Sequence, residues 1–198
     1  MFKRTRYIFF ILIYLFYNNI ALAIDPEIFV QSTVNRASKI LSEEISKEKK
    51  MQKLQDIAID TVDIKGIGFY TLGSIRKSLN DTDKKKYSIL FEQYFLKSFS
   101  SRLAEYTNPE INVFGKEILN NNYTIVNSIL MGTKDRPEIK IDWRIYTKDP
   151  EKPLIRDLII EGLSLARTQK EEFNSVLQSN NNDINQLFKT LESFIKTE

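Results

Sequence analysis

The strongest constraint on this chain is the segment Ile139–Tyr146, in which apolar and less apolar side chains alternate without interruption. Successive side chains of a β-strand point to opposite faces of a sheet. One face of this strand is therefore formed by Ile139, Ile141, Trp143 and Ile145, and the other by Lys140, Asp142, Arg144 and Tyr146. Because an apolar sheet face has to be covered, the segment predicts a sheet with other elements packed against one side.

Three further segments have the composition of strands, at residues 111–118, 123–131 and 154–161. They are separated by short stretches rich in Asn, Gly, Asp and Pro, which are typical of turns. Connections of this length join strands that lie side by side and run in opposite directions. The sequence therefore predicts a four-stranded antiparallel sheet.

Helical periodicity surrounds the predicted sheet. Asp25-Pro26 and Asn80–Asp83 are start signals for helices. The second of these helices carries a wide, ring-rich apolar stripe of Tyr87, Leu90, Phe91, Tyr94, Phe95, Phe99, Leu103 and Tyr106. A helix near residues 51–59, a short helix capped by Asp63, and two helices in residues 165–195 complete the pattern. The Lys-rich stretch at residues 46–53 reads as a helix end or a loop, forming either a solvated surface or a patch for anionic headgroups. Helices, strands and then helices predict an α+β domain in which several helices cover one sheet face.

The N-terminal residues have the three parts of a secretory signal. Lys3, Arg4 and Arg6 precede the apolar run 8–17, and Ala21-Leu22-Ala23 supplies a cleavage site. A retained anchor is the alternative, but the run is shorter than the roughly 20 residues that a spanning helix needs. We therefore expect a signal peptide at residues 1–23 and a single domain at residues 24–198.

Removal of that signal would change the charge balance. The chain has 29 Lys+Arg and 26 Asp+Glu, and the signal contains three of the basic residues and no acid, which leaves 26 of each. A formally neutral domain gives little reason to expect nucleic-acid binding.

The chain contains neither Cys nor His. This excludes Cys–His nucleophilic sites, His acid–base catalysis and ordinary zinc sites. An enzyme would have to use residues such as Asp, Glu, Lys or Tyr, and no arrangement of them stands out. We therefore expect no enzyme activity, no metal and no cofactor.

The most specific motif of the chain is the run from Asp157 to Leu165, which reads Asp-Leu-Ile-Ile-Glu-Gly-Leu-Ser-Leu. Further motifs are Leu72-Gly73 with Arg76, Asn80 to Phe95, Leu103 with Tyr106, Ile141 to Ile145, and Phe173. With these motifs, the region from about Leu72 to Leu177 resembles the MlaC family of periplasmic phospholipid-binding proteins, also called the toluene-tolerance auxiliary family.

This resemblance implies a monomeric carrier that takes a phospholipid between an outer-membrane lipoprotein complex and an inner-membrane ABC transporter complex with a membrane-anchored component. The lipid tails would lie in an apolar cavity between sheet and helices, as cargo rather than as a cofactor. A close branch of the family is linked to hopanoid transport.

We predict that fourteen residues line such a cavity, although each also fits an ordinary core position. They are Phe69, Tyr70, Leu72 and Ile75 from the segment before the long helix, which we expect Gly66, Gly68 and Gly73 to loosen, Phe91, Phe95, Phe99 and Leu103 on that helix, and Ile141, Trp143, Ile145, Leu158, Ile160 and Leu163 in or after the strands. Two other functional classes stay open: a periplasmic chaperone-like protein that binds polypeptide, and an enzyme with at least two buried carboxylates.

Export gives the first testable prediction. Protein recovered from the periplasmic fraction of a bacterium that expresses the full chain should have the intact mass of residues 24–198. An intact mass that still includes residues 1–23 would contradict cleavage after Ala23.

Overall fold

A computed structural model describes residues 23–134 and 136–197, so the predicted signal, apart from Ala23, lies outside the described residues. The helices of this part are α1 (Pro26–Ser42), α2 (Lys47–Thr61), α3 (Ile64–Thr71), α4 (Asp81–Leu103), α5 (Leu165–Gln178) and α6 (Ile184–Lys196), with a 3-10 turn at Ile75–Lys77. The strands are β1 (Ile111–Asn120), β2 (Tyr123–Leu130), β3 (Ile139–Tyr146), β4 (Leu154–Ile160) and β5 (Leu163–Ser164). None of the described helices is long and apolar enough to cross a membrane.

The sheet is antiparallel, with its strands in chain order from β1 to β5. The α+β class is confirmed, but the prediction of four strands is wrong by one. The fifth strand, β5, contains only Leu163 and Ser164, which pair with Ile160 and Ile159. Two residues are too few for an alternating pattern, so no local signal predicts this strand.

The helix starts follow from side-chain caps. Asp25, Asp63 and Asn80 accept hydrogen bonds from backbone N–H groups in the first turns of α1, α3 and α4, which confirms the three predicted starts. Ser46 caps α2 in the same way. The Lys-rich stretch is therefore the first part of α2 rather than a loop or a helix end.

Several lysines of α2 are engaged with neighbouring groups. Lys50 donates to the carbonyl oxygen of Leu41 at 2.7 Å, Lys53 pairs with Glu43, and Lys47 lies 3.8 Å from Glu105. These contacts join α2 to the end of α1 and to the segment after α4, and they favour a structural surface over a lipid-binding patch.

The segment around Gly66 and Gly68, expected to be loose, is helix α3. Gly68 allows this helix to approach α4 closely, because a Cβ atom at this position would lie 2.7 Å from Cδ1 of Phe91. The hydroxyls of Thr71 and Tyr87 share a buried hydrogen bond of 2.8 Å across the same contact. Burial raises the pKa of Tyr87, so this hydroxyl stays protonated and able to donate.

The helices cover one face of the sheet, which we call the inner face. Helix α1 lies over β1 and β2, whereas α3 and α5 lie against β4. Helix α4 lies behind them and contacts α2, α3 and α6. Its Phe91 belongs to the same apolar cluster as Ile141, Trp143 and Ile145 of the inner face. A packed α+β domain with helices on one side of the sheet is therefore present, as predicted.

The opposite, outer face of the sheet contains polar pairs. Asn127 donates to Asp142 at 2.8 Å, and Arg144 lies 3.5 Å from Asp157. These contacts confirm the prediction that Asp142 and Arg144 lie on the face opposite the apolar one, and they show that both side chains are paired there.

Asp157 connects this sheet to α5. Its carboxylate is 4% exposed and accepts hydrogen bonds from the Ala166 N–H at 3.0 Å and from the Ser164 hydroxyl at 2.6 Å. Asp157 thus provides an acceptor for the Ala166 N–H in the first turn of α5, and it also lies next to the guanidinium of Arg144.

We predict that Asp157→Ala lowers the free energy of unfolding by about 2–4 kcal/mol, because it leaves the buried Ala166 N–H without an acceptor and Arg144 without its partner. Urea unfolding followed by circular dichroism measures this change. Glu171→Ala, an exposed acid on the same helix, is the control and should change stability by less than about 0.5 kcal/mol. Equal effects of the two substitutions would contradict the assigned role of Asp157.

Candidate functional site

On β2, β3 and β4, the inner face of the sheet becomes more exposed from one end of the strands to the other. At one end, Thr124, Ile145 and Ile155 lie side by side in the register and are buried. At the other end, Ile111, Leu130 and Ile139 lie side by side and are only partly buried. Across β2, β3 and β4, the helices therefore seal the first end of this apolar face and leave the second partly open, whereas Ile118 of β1, which pairs with Thr124 at the first end, is 74% exposed.

Helix α4 shows the same gradient. Tyr87, Leu90 and Phe91 in its first half are buried. Farther along, Phe95 and Phe99 are half-buried and stack on each other, with ring centroids 5.7 Å apart and planes 8° from parallel. Leu103, the last residue of the helix, is also half-buried.

The exposed parts of α4 and the sheet lie at the same end of the molecule. A connection of residues 104–110 leads directly from Leu103 into Ile111. The β2–β3 connection, residues 131–138, leads from Leu130 to Ile139. We call the region bounded by these two connections the open end; its apolar residues are Phe95, Phe99, Leu103, Ile111, Leu130 and Ile139.

Trp143 lies midway along the inner face, between the sealed end and the open end. It is 9% exposed, and its indole Nε1–H donates to the hydroxyl oxygen of Ser128 at 2.8 Å. Ser128 in turn donates to the carbonyl oxygen of Ile141 at 3.0 Å. The polar atoms of the indole and the serine thus satisfy each other, and the aromatic ring contributes apolar surface to the cluster.

The structure groups ten of the fourteen predicted lining residues. Leu72, Phe91, Ile141, Trp143 and Ile145 are in the buried cluster, and Phe69, Ile75, Phe95, Phe99 and Leu158 pack against it. Ile160 lies beside Ile141 in the register, and Leu103 lies at the open end. Tyr70 and Leu163 are 41% and 59% exposed. That these residues line a lipid cavity stays a prediction.

Three of the six apolar residues at the open end, Ile111, Leu130 and Ile139, were not among the predicted lining residues. The alternation of β3 placed Ile139 on the apolar face without marking it as a lining residue, and Ile111 and Leu130 stand at the tips of β1 and β2, where no clear alternation was predicted. Only the register, which places the three residues in one row, reveals that they share a surface.

Two surface depressions lie away from these residues. One, of about 460 Å³, follows α1 along Ile28, Ser32, Asn35 and Lys39, and the other, of about 530 Å³, lies between α5 and α6. Neither contains a predicted lining residue.

The polar groups of the described residues offer little for catalysis. Among residues 23–134 and 136–197, Asp157 is the one carboxylate that is buried, and it is occupied by α5 and Arg144. In the same part of the chain, no group of three or more Asp and Glu residues is placed to hold a metal ion. The pair of buried carboxylates expected of an enzyme is thus not formed by these residues.

The chain was compared with protein families, curated sequences and solved structures. The family model described as MlaC protein matches residues 31–193. Among solved structures, the chain is similar to a phospholipid-binding protein from Ralstonia solanacearum in complex with a phospholipid, with a TM-score of 0.73 and 17% sequence identity. The match covers 87% of this chain and 97% of that one. No curated protein sequence matches the chain significantly.

The hydrogen bond between Trp143 and Ser128 gives a prediction for the site. Ser128→Ala should lower the free energy of unfolding by about 1–3 kcal/mol, because it leaves the buried indole N–H without an acceptor. Thermal or urea unfolding monitored by tryptophan emission tests this, since Trp143 is the one tryptophan of the chain. Ser193→Ala, at an exposed position of α6, is the control. An unchanged stability of Ser128→Ala would show that the bond contributes nothing.

Proposed function

The chain belongs to the MlaC family, and from this premise we propose that it is a periplasmic carrier that binds a phospholipid by its acyl tails and moves it between the outer and inner membranes. The proposed exchange partners are an outer-membrane lipoprotein complex and an inner-membrane ABC transporter complex. Family membership supports both the compartment and the partners. The neighbouring structure from Ralstonia solanacearum, a phospholipid-binding protein, supports the cargo.

The observation that carries the proposal is the graded burial of the inner face. An apolar layer that is sealed at one end and partly open at the other suits a ligand with a long apolar part and a polar head. The tails would enter between α4 and the sheet, and the head would stay in water at the open end. The predicted lining residues other than the exposed Tyr70 and Leu163, together with Ile111, Leu130 and Ile139, would form the walls.

The physical need for such a carrier is large. A diacyl lipid has roughly 30 methylene groups, and exposing each to water costs about 0.8 kcal/mol. The total, more than about 20 kcal/mol, prevents efficient crossing of an aqueous gap by free lipid. A protein that covers the tails removes most of this barrier without breaking a bond, so it needs no acid, base or nucleophile.

Loading would have to displace side chains. A permanently empty cavity costs about 24 cal/mol per Å³, so a few hundred Å³ would consume several kcal/mol of stability. The half-buried Phe95 and Phe99 are the side chains best placed to move, because they contact the cluster on one side and face the open end on the other. The contact between α3 and α4, held by Thr71, Tyr87 and Gly68, would stay fixed.

Native mass spectrometry of protein purified gently from its host tests the cargo. We expect an adduct with the mass of one phospholipid, which organic extraction recovers. If the extract contains a hopanoid instead, the protein is still a lipid carrier, but its cargo is a hopanoid rather than a phospholipid. A clean apo mass together with no uptake from phospholipid vesicles would contradict lipid carriage, and binding of unfolded polypeptide instead would favour the chaperone-like alternative.

A charge at the open end should block loading. We predict that Ile139→Glu lowers phospholipid uptake from vesicles at least about tenfold, because a carboxylate there would be desolvated by the tails. Ile118→Glu is the matched control: Ile118 is 74% exposed on β1 and outside the open end. Circular dichroism should show both variants folded. Equal uptake by the two variants would place the lipid elsewhere.

A further inference from the structure

The open end is bridged by an aromatic–cation contact that no sequence motif indicates. Arg136 lies in the β2–β3 connection and Tyr106 in the connection between α4 and β1. The guanidinium carbon of Arg136 lies 5.3 Å from the centroid of the Tyr106 ring. The same two connections are joined by a backbone hydrogen bond of 2.8 Å from Met131 to Glu110. A cation is therefore held between the two segments that bound the open end.

The backbone fixes the position of Arg136. Its carbonyl accepts from the Thr133 N–H at 2.8 Å, and its N–H donates to the Thr133 carbonyl at 3.4 Å, which closes a tight turn. Gly132 packs under this turn, because a Cβ atom there would lie 2.9 Å from the Glu138 nitrogen and 3.0 Å from the Arg136 carbonyl oxygen. The turn and the ring of Tyr106 together restrict where the guanidinium can point.

The guanidinium has capacity for an anion. Arg136 is exposed, and among the described residues no carboxylate forms an ion pair with it. The nearby acid Glu105 is paired with Lys47 at 3.8 Å. A guanidinium held near an aromatic ring keeps its N–H fork available for a phosphate, which it can bind through two parallel hydrogen bonds.

We propose that Arg136, positioned by Tyr106, binds the phosphate of the lipid headgroup at the open end. This inference rests on the proposed function. In a phospholipid the phosphate lies where the acyl tails end, so tails buried between α4 and the sheet bring it to the boundary that Arg136 occupies. The tails supply most of the affinity, and the guanidinium selects lipids that carry a phosphate over those that do not.

The experiment compares two lipids with the same acyl chains, phosphatidylglycerol and diacylglycerol. Each lipid is offered in carrier vesicles that contain no phosphatidylcholine. The protein is purified after expression of the full chain. We expect Arg136→Gln to reduce phosphatidylglycerol loading about tenfold and to leave diacylglycerol loading unchanged. Arg136→Lys should restore part of the loss, because it returns the charge without the planar fork. Tyr106→Leu should give a smaller loss for the same lipid.

The matched control is Lys148→Gln, which removes one exposed positive charge from the β3–β4 connection at the other end of the strands. It should leave loading of both lipids unchanged. Millimolar inorganic phosphate should not displace the lipid from the wild-type protein, and displacement would assign Arg136 to a free anion instead.

The possible results separate the two proposals. Unchanged phosphatidylglycerol loading by Arg136→Gln, or an equal loss for both lipids, overturns the phosphate site while the carrier function stands. Failure of the wild-type protein to load either lipid overturns both.

Discussion

The apolar inner face of the sheet is the constraint on which the rest of this structure depends. Alternation in β3 places Ile141, Trp143 and Ile145 on one side, and the register extends that surface across β2 and β4. Helices have to cover it, and α1, α3 and α5 do so, with α4 behind them. The apolar cluster is fully buried where α3 and α4 meet at Gly68 and the Thr71–Tyr87 hydrogen bond, and only partly buried where α4 ends. The candidate site is the incompletely covered part of an otherwise ordinary core.

The sequence predicted the elements that depend on local chemistry. The caps at Asp25, Asp63 and Asn80, the alternation of β3 and the aromatic stripe of α4 are all local signals, and each corresponds to an observed element. The errors have equally physical causes. Glycines at 66 and 68 suggested a loose segment, but close packing against Phe91 stabilises a helix there. The two-residue strand β5 is formed by pairing with β4, which no local pattern encodes.

The candidate site was only partly accessible to sequence reasoning. Residues in the middle of periodic elements, such as Phe91 and Trp143, were predicted to face inward and do so. Tyr70 and Leu163 were chosen for their neighbours in the chain and are exposed. The contact between Arg136 and Tyr106 joins positions 30 residues apart in two connections without regular pattern, so it emerges only from the fold. The same holds for the row formed by Ile111, Leu130 and Ile139, which requires the register.

The domain therefore combines a buried half that gives stability with a partly open half that is available for a ligand. In the proposed mode of binding, acyl tails enter between α4 and the inner face, and Trp143, the one tryptophan of the chain, lies in that layer. The most direct measurement is the quenching of its fluorescence by a phospholipid with brominated acyl chains, compared with the same lipid without bromine. The account predicts strong quenching by the brominated lipid alone, because the tails would come into contact with the indole. Stoichiometric binding of the brominated lipid with unchanged emission would place the tails elsewhere and contradict the account.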